Sequence, residues 1–228
     1  MPLVAHKYMP QEMAASELQA TFAAREHTLE YLLNALRGQS ASKSLTSYLI
    51  TGPRGAGKTT LVLMLRLRLR DDPALSKAWL PVLFPEECPA ITSLRDLLVT
   101  ALRILADDGY PEAAEWFEKA ERESDDERSQ DLAVAGLQPI ANDQNRRLIL
   151  LIENLDMVFE RGLDRRTQAT LRRLLMTDPF LMIIGTAVRV FEALKTYDEA
   201  FFNYFCPVPL ERLDDRQVRE LMSRRAKY

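Results

Sequence analysis

Two short stretches of this 228-residue sequence hold residue types that could do chemistry together. The first is TGPRGAGKTT, in which Gly52-Pro53-Arg54-Gly55-Ala56-Gly57-Lys58-Thr59 fits G-x-x-x-x-G-K-[ST] at every fixed position. Glycines let a backbone curl so that its N–H groups converge on phosphate oxygens. A helix starting at such a loop adds the positive end of its dipole. Lys58 would reach the β- and γ-phosphates as a point charge, and Thr59 would offer its hydroxyl to Mg²⁺. Thr60 would cap the helix or touch the α-phosphate. The implied ligand is a nucleoside triphosphate with Mg²⁺.

The second stretch is RRLILLIENLD, residues 146–156. An unbroken apolar run, 148–152, leads into Glu153, Asn154 and, three residues after the acid, Asp156. A metal-bound phosphate needs a second anchor on a neighbouring strand. Glu153 can accept hydrogen bonds from metal-bound water, which makes it, with Thr59, the metal-side candidate. Asn154 can orient a water but cannot take its proton. Asp156 could bind metal water, cap the next turn or pair with an arginine. A third component would be a polar strand end beside the γ-phosphate. The run 181–185 leads into Thr186, whose hydroxyl could position an attacking water or simply end a strand. Arg189 could contact a γ-phosphate in its own subunit or a neighbour's, with Arg172 and Arg173 as rivals, because an arginine neutralises charge that develops in phosphoryl transfer.

These residues need strands and helices to bring them together. Leucines at 29, 32, 33 and 36 predict a helix over 25–36, with Gly38 as its C-cap. A short buried strand, 48–50, enters the glycine loop. The following LVLMLRLRLRDD alternates leucine and arginine like a strand, but Leu61, Leu65 and Leu69 recur every four residues and the glycine loop requires a helix. Asp71, Asp72 and Pro73 stop it. Further strands are predicted over 79–84, 148–152 and 180–186, with a proline-containing edge strand over 205–210. Helices are predicted from Ser93 to about 106, over 131–143, over 164–176 capped by Asp164, over 189–196 and over 214–226. Strands alternating with helices imply a mostly parallel sheet covered on both faces. Residues 107–131 carry eleven acids against Lys119, Arg122 and Arg128. They read as a helical surface insertion docked by Trp116 and Phe117, with a solvated acidic face or, alternatively, an acidic patch that binds a partner. Residues 1–20 read as a partly ordered arm.

Composition bounds the rest. Apolar residues make up 47% and charged residues 28%, as in a soluble globular domain, and a net charge of −3 favours no class of partner. Cys88 and Cys206 lack metal-like spacing and read as reduced thiols of a cytoplasmic protein. No apolar run reaches the ~18 residues of a membrane span, so no membrane partner is expected. The first residues lack the basic-then-apolar order of a signal peptide.

With the two loops, the strand-end threonine and their order in place, the chain resembles an AAA+ ATPase core. It is similar to the branch that contains the initiator (origin-recognition) ATPases and the signal-transducing ATPases of the NACHT and NB-ARC kind. Upstream, TFAAREHTLEYLLNAL resembles the F-x-G-R-E-x-E-L-x-x-L segment that opens these domains and borders the adenine. Phe22, Arg25, Glu26 and Leu29 fit it, and Ala24 stands where that pattern has glycine. Downstream, VPLERLDDRQVRELMSRRA resembles the passage into a helical lid. The resemblance implies a three-layer α/β/α fold with a five-stranded sheet of order 5-1-4-3-2. It implies ATP and Mg²⁺ at the tips of strands 1 and 3, with Phe22 and Arg25 near the base. It also implies assembly as a dimer, ring or filament. On it, 21–210 are the ATPase core and 211–228 the start of a lid that continues elsewhere. The resemblance departs at 153–154, where the family has Asp-Glu and this chain has Glu-Asn. The expected activity is therefore a slow ATPase acting as a conformational or assembly switch. The alternatives are a DNA-associated initiator or remodelling ATPase, partnered with DNA or protein through a further C-terminal region, and a non-hydrolysing interaction module. Residues 160–228 hold thirteen basic groups against ten acids, a mild bias toward the DNA reading.

Overall fold

The computed structural model describes residues 10–85, 91–142, 146–177 and 179–227. Cys88 lies outside them, and Cys206 is a free, partly buried thiol.

Five short apolar segments form strands: β1 (Tyr48–Thr51), β2 (Trp79–Leu83), β3 (Arg147–Ile152), β4 (Leu181–Ala187) and β5 (Cys206–Pro209). They pair in the order β2-β3-β4-β1-β5, every pair parallel, which is the expected order counted from the other edge. Both outer strands contain proline, Pro81 in β2 and Pro207 and Pro209 in β5, which limits pairing with a further strand.

Alternation along the strands divides the core in two. On one face Tyr48, Ile50, Ile149, Leu151, Met182 and Ile184 pack with α1 (Ala15–Thr21), α2 (Glu26–Gln39), α3 (Lys58–Asp71) and α4 (Pro73–Ser76). On the other, Leu80, Val82, Leu148, Leu150, Ile152, Leu181 and Ile183 pack with α5 (Leu94–Asp107), α6 (Pro111–Arg122), α7 (Asp126–Asn142) and α9 (Arg165–Thr177). The leucine-arginine stretch is helical in α3. Its Leu61, Leu65 and Leu69 are fully buried, while Arg66 and Arg70 turn outward to Asp108 at 3.0 and 2.6 Å. In the acidic insertion Trp116 and Phe117 pack on the core as expected. Gly136 lets α7 approach them, because a Cβ there would lie 2.5 Å from Trp116. The acids stay outside; the side chains of Asp126 and Glu127 are 80% and 87% exposed.

Three elements differ from the sequence expectation. Gly38 caps nothing: α2 runs through it to Gln39, whose side chain closes the end by accepting from Thr46 N–H and donating to Ala35 O and Tyr48 Oη. The helix expected over 131–143 starts earlier, at Asp126, where Asp125 Oδ1 accepts Arg128 N–H, and it passes through Pro139. The helix expected over 189–196 shrinks to one turn, α10 (Glu192–Lys195). Around it Phe191, Phe201 and Phe205 gather on Phe159, and that tertiary packing overrides local helical preference. The last helix, α11 (Asp215–Lys227), touches α1 and buries none of its residues fully. No helix among the described residues is long and apolar enough to cross a membrane.

Candidate functional site

β1 leads into the glycine loop, and each glycine there has its own reason. Gly52 N–H donates to Ala187 O at 3.2 Å, and a Cβ on Gly52 would meet Leu210 O at 2.9 Å. Gly55 and Gly57 have φ of 78° and 86°, left-handed backbone that side chains resist. Gly57 immediately precedes α3, so Lys58, Thr59 and Thr60 form its first turn. Lys58 Nζ donates to Gly52 O at 2.8 Å and Pro53 O at 3.1 Å. Burial lowers the Lys58 pKa from the ordinary lysine value; Glu153 and then Asp156 oppose that shift, and Arg54 adds to it.

β3 brings the acids to the same place. Thr59 Oγ1 donates to Glu153 Oε2 at 2.5 Å, and Glu153 is only 7% exposed. The chain then turns sharply through Asn154, whose φ of 51° is left-handed. Asparagine tolerates that region better than most residues. Two residues at the end of β4 hold the turn. Thr186 Oγ1 accepts the Asn154 N–H at 3.1 Å, and Gly185 leaves room for Leu155, whose Cδ2 would be 2.4 Å from a Cβ at that position. A helical turn, α8 (Leu155–Met157), and a π-helical turn, Val158–Gly162, follow. Asp156 sits in the first of them. It does not cap α8, and its Oδ1 is buried without a hydrogen-bond partner among the described residues.

Together these elements enclose a cleft of about 800 Å³. Arg54, Gly55, Gly57, Lys58, Thr59 and Thr60 line it from the loop side, and Glu153, Asn154 and Asp156 from the acid side. Pro10, Met157, Val188 and Arg225 complete the wall. Behind the loop a second cavity of about 70 Å³ is lined by Met13, Phe22, Arg25, Ala56, Leu213 and Leu221, among others. Arg25 ties its surroundings together, donating to Ala56 O at 3.2 Å and Glu211 O at 2.6 Å. Burial lowers the Arg25 pKa, and Glu211 partly offsets this.

The candidates read from sequence thus divide. Thr186 is 1% exposed and outside the cleft lining; its oxygen is engaged by the Asn154 backbone. Arg189 is exposed and also outside the lining. Arg172 donates to Ala200 O and lies over the Tyr204 ring, and Arg173 lines a separate groove between α7 and α9. The arginines that do line the cleft are Arg54 and Arg225. Arg225 showed in the sequence only as half of a basic pair. Its neighbour Arg224 anchors α11 by donating to Phe22 O at 2.5 Å and pairing with Glu26 at 3.0 Å.

The chemistry available is a backbone cradle, a cation, and two hard oxygen donors, one on the first turn of α3 and one just beyond β3. Thr59 and Glu153 fit Mg²⁺, which takes one or two protein ligands and fills the rest of its shell with phosphates and water. Among the described residues no three His, Cys, Asp or Glu side chains cluster as a metal cage, and such a Mg²⁺ site does not need one.

Comparison with known proteins agrees with this construction. Solved structures with the same fold include the ORC1 protein of Aeropyrum pernix in complex with DNA, at TM-score 0.65 and 13% identity, covering 90% of this chain and 50% of that one. The Aeropyrum pernix ORC2 protein, in ADPNP-ADP complexes, matches at TM-score 0.68 and 15% identity, covering 90% and 52%. Drosophila ORC bound to DNA matches at TM-score 0.56 and 15% identity, covering 93% and 52%. The chain therefore spans about half the length of these structures. No curated protein sequence matches it significantly. A family model described as AAA ATPase domain matches residues 21–184. This nucleotide-binding ATPase core, with the fold of the origin-recognition proteins, belongs to the AAA ATPase domain family.

Proposed function

We propose that the chain binds ATP with Mg²⁺ in this cleft and acts as a nucleotide-driven conformational switch whose hydrolysis is slow. The observation that carries the reading is the 2.5 Å contact between Thr59 and Glu153 beside Lys58, followed by Asn154 where a stronger proton acceptor would stand. The N–H groups of Gly55, Gly57, Lys58, Thr59 and Thr60, residues that line the cleft, bind the phosphates, and the Lys58 side chain neutralises them. Phe22 and Arg25 border the base. Bound Mg²⁺ supplies charge neutralisation at the β- and γ-phosphates. α11 brings Arg225 to the cleft and Arg224 to the start of α2, so nucleotide held there favours one arrangement of α11 against the core. That is how a bound state could be read by a partner or a second copy.

A thermal melt with Mg²⁺ and ATP tests the reading. At one hundred times Kd a ligand stabilises by about 2.7 kcal/mol, which raises Tm by roughly 5–10 °C for a chain this long. Turnover should lie below the roughly 1–100 s⁻¹ of efficient phosphoryl-transfer enzymes. A melt unmoved by millimolar ATP would end the proposal.

DNA association is the second reading, supported by the DNA in two of the fold neighbours. The exposed Arg165 and Arg166 pair with Glu199 and Glu127, which weakens their pull on phosphate. A mobility shift with duplex DNA that fades with salt would favour it.

A further inference from the structure

Asp156 has no assigned task, yet its setting is unusual for a structural acid. Its Oδ1 is buried with no hydrogen-bond partner among the described residues, an arrangement that costs about 1–3 kcal/mol or more unless something else compensates. It lines the cleft and acts electrostatically on Lys58, so it lies in the field of the group that would hold the terminal phosphates. The other two polar residues of the turn are less suited to take a proton. Glu153 holds the Thr59 hydroxyl, and the Asn154 side chain is a carboxamide with no acidic or basic group, while its backbone N–H donates to Thr186 Oγ1. The turn itself is rigidly mounted, since Leu155 is 1% exposed and seated over Gly185. That seating fixes where its neighbour Asp156 can be.

We infer that the Asp156 carboxylate is the proton acceptor for the water that attacks the terminal phosphate, in place of the carboxylate that Asn154 does not provide. The inference rests on the proposed ATP-hydrolysing role of this cleft. As the water oxygen bonds to the γ-phosphorus, the bond from that phosphorus to the β–γ bridging oxygen breaks and its electron pair leaves with ADP. The displaced water proton passes to Asp156 and then to solvent, and inorganic phosphate is released. A carboxylate three residues beyond the metal-side acid, on a separate helical turn, accounts for hydrolysis that is slow rather than absent.

The test uses the full chain with Asp156→Asn, Asp156→Ala and Asp156→Glu. Binding of a fluorescent ATP analogue and phosphate release are measured at saturating Mg²⁺ and at several Mg²⁺ concentrations. The expected result is wild-type nucleotide affinity with turnover about 100-fold lower in Asp156→Asn, the range of general-base loss. Asp156→Glu should retain part of the rate, and added formate should restore part of it in Asp156→Ala. Turnover of Asp156→Asn within twofold of wild type overturns the inference. So does a weakened affinity for ATP or Mg²⁺ with an unchanged maximal rate, which would make Asp156 a positioning residue for Lys58 or the metal. Wild-type protein that binds ATP but releases no phosphate overturns this inference alone. Wild-type protein that binds no ATP removes the functional reading beneath it as well.

Discussion

The phosphate loop and the acid turn face each other across one cleft, and both leave a buried strand through left-handed backbone, yet they are built by opposite means. The loop acts through its main chain, so it is made of glycines with φ of 78° and 86° at Gly55 and Gly57. The turn acts through side chains. It places one asparagine at a φ of 51° and takes its support from another strand, through Gly185 and Thr186. A segment that works by backbone carries most of its requirements in its own glycines, although Gly52 also depends on Ala187 and Leu210. A segment that works by side chains depends on residues about thirty positions away.

The comparison can be broken on either side. Lys58→Ala removes the loop's cation, and charge-assisted hydrogen bonds of about 1.5–3 kcal/mol are at stake. ATP affinity should fall roughly 100-fold by calorimetric titration, with the fold and Tm retained. Gly185→Ala attacks the turn instead. Its Cβ would lie 2.4 Å from Leu155 Cδ2 and 2.9 Å from Leu155 Cβ, so the turn must shift. Overpacking of this kind costs about 1–3 kcal/mol, a loss of roughly 2–12 °C in Tm. ATP affinity should survive better than turnover, because the loop is untouched and Asp156 is displaced. Equal loss of both would mean that loop and turn are not separable.

Asn154 sharpens the contrast further. If its conformation matters, Asn154→Gly should keep full stability, while Asn154→Glu should lose about 1–2 kcal/mol from a left-handed longer side chain. Equal denaturation midpoints for the two would show that the turn relaxes freely. Any change in turnover in the glutamate variant must be read against the glycine one, since the new carboxylate arrives with a strained backbone.

The same contrast explains what could be read before the structure. The glycine loop and the helical nature of the leucine-arginine stretch are legible because local spacing and the loop's own demand for a helix determine them; the strand order is legible only through the family resemblance. Thr59 and Glu153 read from the sequence as joint metal-side candidates, and the first turn of α3 and the end of β3 bring them into direct contact. For Thr186 the sequence leaves two roles open, positioning a water or ending a strand; its Oγ1 accepts the Asn154 backbone N–H, and a strand-end threonine looks the same in either role. Arg189 was weighed for its position after β4, where the chain exposes it. Arg225 gave almost no signal: its place in the cleft depends on Arg224 docking to Phe22 and Glu26, some two hundred residues earlier. Gly38 is not the cap the sequence suggests, because α2 continues to Gln39 and Ser40 caps it, donating its N–H and its hydroxyl to Arg37 O.

Ala24 extends the comparison to a third left-handed site, one with neither glycine nor asparagine. Its φ is 64°, between the buried Phe22–Ala23 pair and Arg25 beside the smaller cavity. An alanine held there is strained by about 1–2 kcal/mol. Glycine would remove that strain, but it also frees the unfolded chain, which returns about 0.4–1 kcal/mol. The net gain for Ala24→Gly should be about 0.5 kcal/mol, a rise of roughly 1–2 °C in Tm. No new contact accompanies it, so ATP affinity should not change. A fall in Tm would mean that the alanine methyl contributes packing that outweighs its backbone strain. The left-handed turn beside the smaller cavity would then be held from outside, as the acid turn is, and not by its own residue.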